Sequence, residues 1–303
     1  MRIALVGLGD IARKAYLPLL ACDERVTPLL CTRDGATLAA LARRYRVSET
    51  YSRYDALLAA HPDAVMIHAA TPVHAPLAEA ALQAGIPVFV DKPLCDSASG
   101  VERLAELAMQ QDRPLFVGFN RRYLPALAEL RRQPLTELIW QKHRHALPGG
   151  ARSFFFDDFI HVLDGLCHYG GRPEGEARLL ARAAAQPGAL AGVSVSWRTR
   201  HGWCQGSMNR SAGVTEERID GYAENLSLHV EQCSRGWLAR GKAVQAIGGG
   251  EWTPMLEQRG FVAMLEHWLA LLNTGRCDSA LLDSYVASHA LAESLLGQLQ
   301  PKR

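Results

Sequence analysis

The apolar run Ile3-Ala4-Leu5-Val6 passes directly into Gly7-Leu8-Gly9-Asp10-Ile11-Ala12, and this junction constrains the chain more than any other stretch. A buried strand, a glycine turn and a helix start succeed one another in the G-x-G-x-x-G/A pattern. Gly7 permits the tight turn, Gly9 lets the backbone approach a pyrophosphate, and Ala12 keeps the helix close to the strand. The helix N-terminus offers N–H groups to an anion. A glycine turn of any α/β unit is the plainer reading. The strand–turn–helix context favours a dinucleotide, held by Gly7, Leu8, Gly9, Asp10 and Ile11.

The same alternation repeats further along the chain. Short apolar runs at Val26–Cys31, Ala64–Ala69, Val88–Val90 and Leu115–Val117 read as buried strands. Between them Ile11–Leu20, Ala36–Tyr45, Pro76–Ala84 and Ser97–Gln110 carry helical spacing. Strands that are apolar throughout and separated by helices predict a parallel sheet covered on both faces. The texture changes from about Thr136, where Ala191–Arg200, Trp203–Asn209 and Leu226–Glu231 are β-like and divided by glycine turns. Two helical stretches, Leu256–Leu272 and Leu281–Leu299, close the chain. The expected fold class is α/β: a doubly wound N-terminal domain over 1–120, then an α+β domain over 121–303 with a large, mostly antiparallel open sheet. In that sheet Val193, Val195 and Trp197 alternate with Ser194, Ser196 and Arg198. An apolar sheet face needs cover, so one face is expected to be buried against a second copy, giving a homodimer or homotetramer.

Composition narrows the function classes. The 303 residues carry 33 Lys plus Arg against 31 Asp plus Glu, a net charge of +2, which argues against a nucleic-acid partner. The seven cysteines, Cys22, Cys31, Cys95, Cys167, Cys204, Cys233 and Cys277, form no C-x-x-C pair. Single cysteines of this kind behave as small hydrophobes in a reducing compartment. The stretch from Ala64 to Val90 is interrupted by Pro72, His74, Pro76, Glu79 and Gly85, so it is not a membrane span. With no leader pattern ahead of Ile3, the chain reads as cytoplasmic, with no membrane partner. No histidine–carboxylate set has metal-ligand spacing and no G-x-S-x-G elbow is present, so neither a metal nor acyl transfer is expected.

The second strand runs into Cys31-Thr32-Arg33-Asp34. An acid at this strand end would hold the ribose diol of NAD, whereas an Arg suits the 2′-phosphate of NADP. Here Thr32 occupies the acid's place and Arg33 is next, which points to NADP with NAD as the alternative. Against this, Arg33 can be an exposed loop residue, with Asp34 taking the ribose.

The fourth strand ends Val88-Phe89-Val90-Asp91-Lys92-Pro93. With the glycine fingerprint, Ala70-Thr71-Pro72, Gly118-Phe119-Asn120-Arg121-Arg122-Tyr123 and Asp157-x-x-x-His161-x-x-Asp164, the chain resembles the glucose–fructose oxidoreductase / inositol dehydrogenase / MocA (Gfo/Idh/MocA) family. Leu256-Glu257-Gln258-Arg259-Gly260-Phe261 resembles its MviM-like branch. The resemblance implies a Rossmann domain, a second domain whose sheet often makes the oligomer interface, and a nicotinamide lying against Asp91-Lys92-Pro93. Thr71 and Pro72 then join Asp91 and Lys92 in the cofactor set. Two departures stand out: Thr32 replaces the usual acid, and Phe159 stands where a glycine is common.

Oxidising a secondary alcohol needs a base for the hydroxyl proton and a charge to stabilise the developing oxyanion. On a helix over Asp157–Tyr169, at about 100° per residue, Asp157, His161 and Asp164 share one side and Asp158 is rotated away. A solvated helix face gives the same pattern. Together with Lys92 and the family spacing, the pattern is expected to be catalytic: His161 as base, Lys92 as base or oxyanion stabiliser, and Asp157 as their partner. The expected substrate contacts are Lys92, Asn120, Asp157, His161 and Asp164. Lys92 and His161 come from different domains and are expected to face one space in front of the nicotinamide. Lys142 and Arg144, on one face of a strand, read either as lining for an anionic substrate or as an exposed edge. The expected activity is NAD(P)-dependent oxidation or reduction of a sugar, polyol or related hydroxy/keto compound. A nucleotide-binding sensor with no turnover is the alternative.

Overall fold

The computed structural model describes residues 1–299. The chain separates into two compact units, one of Met1–Gly118 with Met264–Val286 and one of Phe119–Ala263 with the described residues 287–299. A single cut at residue 120 would instead assign Met264–Val286 to the second unit.

The first unit is built on six parallel strands: β1 (Arg2–Val6), β2 (Thr27–Cys31), β3 (Thr50–Tyr51), β4 (Ala64–Ile67), β5 (Val88–Val90) and β6 (Leu115–Val117). Their order is β3-β2-β1-β4-β5-β6, the doubly wound arrangement whose reversal lies beside β1. The anticipated helices form at Gly35–Tyr45, His74–Gln83 and Ala98–Gln110. Asp34 caps the first of these by accepting from the N–H groups of Ala36 and Thr37 at 3.0 and 3.2 Å. The helix after the glycine turn departs from ideal winding, with a π-turn over Ala12–Tyr16 before an α-turn at Leu17–Leu20. Met264–Val286 belongs with this sheet because Trp268 packs on it, its ring 5.8 Å from those of both Phe89 and Phe116.

The second unit holds a nine-stranded sheet of β7 (Glu137–His143), β8 (Gly149–Gly150), β9 (Arg178–Ala183), β10 (Ala189–Arg198), β11 (Trp203–Asn209), β12 (Glu216–Ala223), β13 (Leu226–Glu231), β14 (Arg235–Arg240) and β15 (Ala243–Ile247). The order is β15-β14-β13-β12-β7-β11-β10-β8, with β9 also on β10. Every pairing is antiparallel except that of β7 with β11. The helix Ile160–Tyr169 lies on one face, where Leu166 and Val162 meet β11 at Gly206.

Two expectations change here. Val193, Val195 and Trp197 are 5, 1 and 4% exposed within the chain itself, so their face needs no second subunit to cover it. The helix expected over Leu256–Leu272 is two pieces, Met255–Gln258 and Phe261–Thr274. Between them Gly260 takes φ +77°, a left-handed conformation that ends an α-helix. Among the described residues no helix is long and apolar enough to cross a membrane.

Candidate active site

In the first unit the site begins at the end of β1. Gly7 has φ +83°, and a Cβ there would lie 2.6 Å from the Ala69 backbone nitrogen, so the turn admits only glycine. At Gly9 a Cβ would meet nothing within 4 Å, so its backbone faces open space. These residues, with Leu8, Thr32 and Arg33, border a cavity of about 950 Å³. Asp10, Ile11, Thr71, Pro72, Asp91 and Lys92 do not line that cavity. Asp10 instead pairs with Lys14 at 2.9 Å on the surface.

The far end of the cavity carries Arg13, Arg33 and Arg53 beside Thr32 and Asp34. The Asp34 carboxylate is committed to the helix start, accepting from the Thr37 hydroxyl at 2.6 Å as well as from two backbone N–H groups. Those contacts hold it below its ordinary pKa. Arg53 is paired with Asp55. Arg33 is exposed and makes no ion pair among the described residues. Arg13 and Arg53 were not legible as site residues. Arg53 lies just beyond β3, a strand of two residues and too short to leave a periodic signal.

Deeper in this unit is an aromatic and acidic group that no local sequence pattern brings together. The His68 ring stacks on Tyr16 with centroids 4.1 Å apart, and burial pulls its pKa down to about 3, so it stays neutral. The Tyr16 hydroxyl donates to Asp91 Oδ1 at 3.0 Å, and burial raises the Asp91 pKa. Gly118 leaves the room for this pair, since a Cβ there would be 2.8 Å from the Tyr16 oxygen and 3.1 Å from Asp91 Oδ1. His74 bridges Ala69 O and Pro93 O at 2.8 and 2.7 Å. It thereby ties the loop bearing half-buried Lys92 to the loop after β4.

In the second unit the helix carrying His161 begins as a π-turn, Phe154–Phe159. An i→i+5 turn holds more residues than an α-turn, so the 100° spacing fails there. Asp157 is exposed, while Asp158, expected to be rotated away, is buried. The Asp158 carboxylate receives Lys142 Nζ at 2.7 Å, Arg144 at 2.7 and 2.8 Å, and Arg210 at 3.2 Å. Burial works to raise its pKa, but Arg144 and Lys142 overcome this and hold it well below the usual carboxylate range. Burial, and then the Arg121 charge, pull the Lys142 ammonium down to about 8. Glu217 accepts from Arg121 at 2.9 Å and from Trp140 Nε1 at 3.0 Å. Burial opposes its charge, yet Arg121 and Lys142 hold it at about 2.

His161 is 6% exposed and Asp164 is fully buried. Asp164 takes Arg122 through contacts of 2.9 and 2.5 Å and the Ser288 hydroxyl at 2.8 Å. The acid expected to meet a substrate hydroxyl is therefore an internal anchor. Asn120 is likewise spent inside the unit, donating to Arg259 O at 2.9 Å and accepting from Arg121 at 3.0 Å.

Residues 1–119 match the Gfo/Idh/MocA family, described as an oxidoreductase family with an NAD-binding Rossmann fold. YceM of Salmonella typhimurium is 30% identical over 305 residues, covering 97% of each chain. The chain belongs to the Gfo/Idh/MocA family. A solved Gfo/Idh/MocA oxidoreductase from Vibrio cholerae is 42% identical and superposes with a TM-score of 0.93, covering 99% of this chain and 98% of that one. An inositol 2-dehydrogenase of Corynebacterium glutamicum is 36% identical over 142 residues, 43% of this chain and 42% of its own. The Gfo/Idh/MocA chain is thus an oxidoreductase with an NAD(P)-binding Rossmann unit and no spanning helix among its described residues.

Proposed function

We propose that the protein is an NADP-dependent dehydrogenase or reductase that interconverts a secondary alcohol and a carbonyl on a sugar, polyol or related hydroxy/keto compound. The observation that carries this is the Thr32 end of the cavity. There Asp34 is used as a helix cap, Asp55 is paired with Arg53, and Arg33 makes no ion pair among the described residues. A diol needs a free carboxylate, whereas a phosphate needs a free guanidinium. The open backbone at Gly9 fits a pyrophosphate. A bound nicotinamide dinucleotide would supply the hydride acceptor or donor.

The chain's own residues supply the proton chemistry. His161 takes the proton from the substrate hydroxyl at a ring nitrogen. Lys92 holds the substrate oxygen with its charge as that oxygen becomes anionic. Asp157, exposed at the π-turn, offers a carboxylate to a neighbouring hydroxyl. Asp164 and Asn120 position the frame rather than touch substrate. The inositol dehydrogenase relative supports a polyol-like substrate, and the relatives bearing dehydrogenase names lend no support to a sensor without turnover. The seven free cysteines favour a reducing, cytoplasmic setting. The second-unit sheet presents Leu180 and Trp203, 75 and 51% exposed, as a surface for self-association into a homodimer or homotetramer.

Titrating the protein with NADPH and NADH tests the cofactor reading. NADPH is expected to bind at least tenfold tighter, and a preference for NADH would refute the NADP assignment.

A further inference from the structure

The charged cluster beneath the π-turn is out of balance. Lys142, Arg144 and Arg210 converge on the single carboxylate of Asp158. The neighbouring Glu217 is already matched by Arg121 and Trp140. Four cations therefore share two buried carboxylates, with the exposed Asp157 adding its charge beside Arg210. Lys142, Arg210, Asp158 and Glu217 are each 6% exposed or less. Buried charge is costly unless it is paired, and an excess of one sign is costlier still. A second observation agrees: Arg210 Nε is buried with no hydrogen-bond partner among the described residues, while the guanidinium lies over the Phe154 ring at 4.5 Å. Arg144, with a side chain 32% exposed, connects the cluster to the surface. Asp158 is three residues before His161, so the cluster and the assigned base are held by one helical segment.

We propose that this cluster binds an oxyanion carried by the substrate, so that the compound oxidised or reduced is a hydroxy or keto compound bearing a carboxylate or a phosphate. The proposal names the substrate class for the oxidoreductase activity above and rests on that reading. The incoming oxyanion supplies the missing negative charge, with Arg144 at the entrance and Lys142 and Arg210 behind it. The groups facing Lys142 are Arg121, Arg144, Asp158 and Glu217. With two guanidiniums among them and burial disfavouring its charge, Lys142 keeps its proton more firmly once an anion is bound. Affinity for the anion therefore falls as pH rises from 7 to 9.

The test is the thermal midpoint of the intact protein with sodium gluconate, glucose 6-phosphate, glucose, or sodium chloride at matched ionic strength. A rise with gluconate identifies a carboxylate, and a rise with glucose 6-phosphate identifies a phosphate. Neither glucose nor chloride should match the effective anion. In Arg144→Gln, which leaves Asp158 with Lys142 and Arg210, the apparent Kd for that anion should weaken at least tenfold while NADPH affinity holds. No anion response beyond chloride, or an equal response to glucose, overturns the proposal. Equal kcat/KM of wild type and Arg144→Gln on a hydroxy acid or sugar phosphate that the enzyme turns over also overturns it while leaving the oxidoreductase reading intact. Failure of the wild type to bind either NADPH or NADH would defeat that reading separately.

Discussion

At Arg33 the guanidinium is exposed and makes no ion pair among the described residues, at a cavity end where both nearby carboxylates are already committed. A charge-assisted contact to a 2′-phosphate contributes about 1.5–3 kcal/mol. Arg33→Ala should weaken NADPH by that amount and leave NADH nearly unchanged in a fluorescence titration; equal losses for both would argue against the phosphate contact. His161→Ala should lower turnover on an identified substrate by roughly 10²–10⁴, the range for loss of a general base, with cofactor affinity little altered. Lys92→Ala should cost at least as much, because charge and positioning go together. Full activity in the His161 variant would remove it as the base. At this scale the sequence was only partly legible. Thr32 and Arg33 could be located by counting from the glycine turn, because strand and helix lengths fix that distance. The Tyr16–Asp91 hydrogen bond could not, since it joins positions 75 apart and becomes visible only through the space at Gly118.

Helical elements show where periodic reasoning stops. The spacing of Asp157, His161 and Asp164 marked a polar side, but the π-turn over Phe154–Phe159 shifted the phase and buried Asp158 instead of Asp157. Hydrophobic spacing carries no mark of that extra residue, because Phe154, Phe155, Phe156 and Phe159 are apolar on every side. Asp164 then anchors the helix through Arg122, whose side chain is 4% exposed. Removing one partner of a buried pair costs about 3–5 kcal/mol. Asp164→Asn should therefore lower the denaturant midpoint substantially, and an unchanged midpoint would show that the pair does not hold the helix. The β7–β12 cluster makes a pH prediction. Glu217 has its pKa depressed from 4.5 to about 2, so it stabilises the fold fully above 4.5 and loses that contribution as pH falls towards 2. Urea midpoints measured down this range should decline, and Glu217→Gln should flatten the decline attributable to this residue. An equally steep curve in the variant would assign the acid sensitivity elsewhere.

For the whole molecule, the doubly wound strand order was readable because each β–helix repeat is local and right-handed crossovers leave few arrangements. The second sheet was readable only as a class. Its parallel β7–β11 contact pairs Glu137 with Trp203 and Gln141 with Ser207, 66 positions apart, a pairing that no short-range pattern encodes. Assembly depends on which face of that sheet remains free. Val193, Val195 and Trp197, the face expected to need a partner, lie at 5% exposure or less within this chain. The opposite face of β10 carries Ser194 and Ser196, with Leu180 paired across from Ser194 and Trp203 across from Arg198. Small hydroxyl side chains let a second sheet approach closely, and Leu180 and Trp203 supply apolar area that water hydrates poorly. A stable interface needs about 800 Å² from each partner. Light scattering at micromolar concentration should give a dimer or tetramer for the wild type. Leu180→Glu combined with Trp203→Glu should yield a folded monomer by placing like charges at the contact. A monomeric wild type, or a double variant with unchanged mass, would show that this face is not where the copies meet.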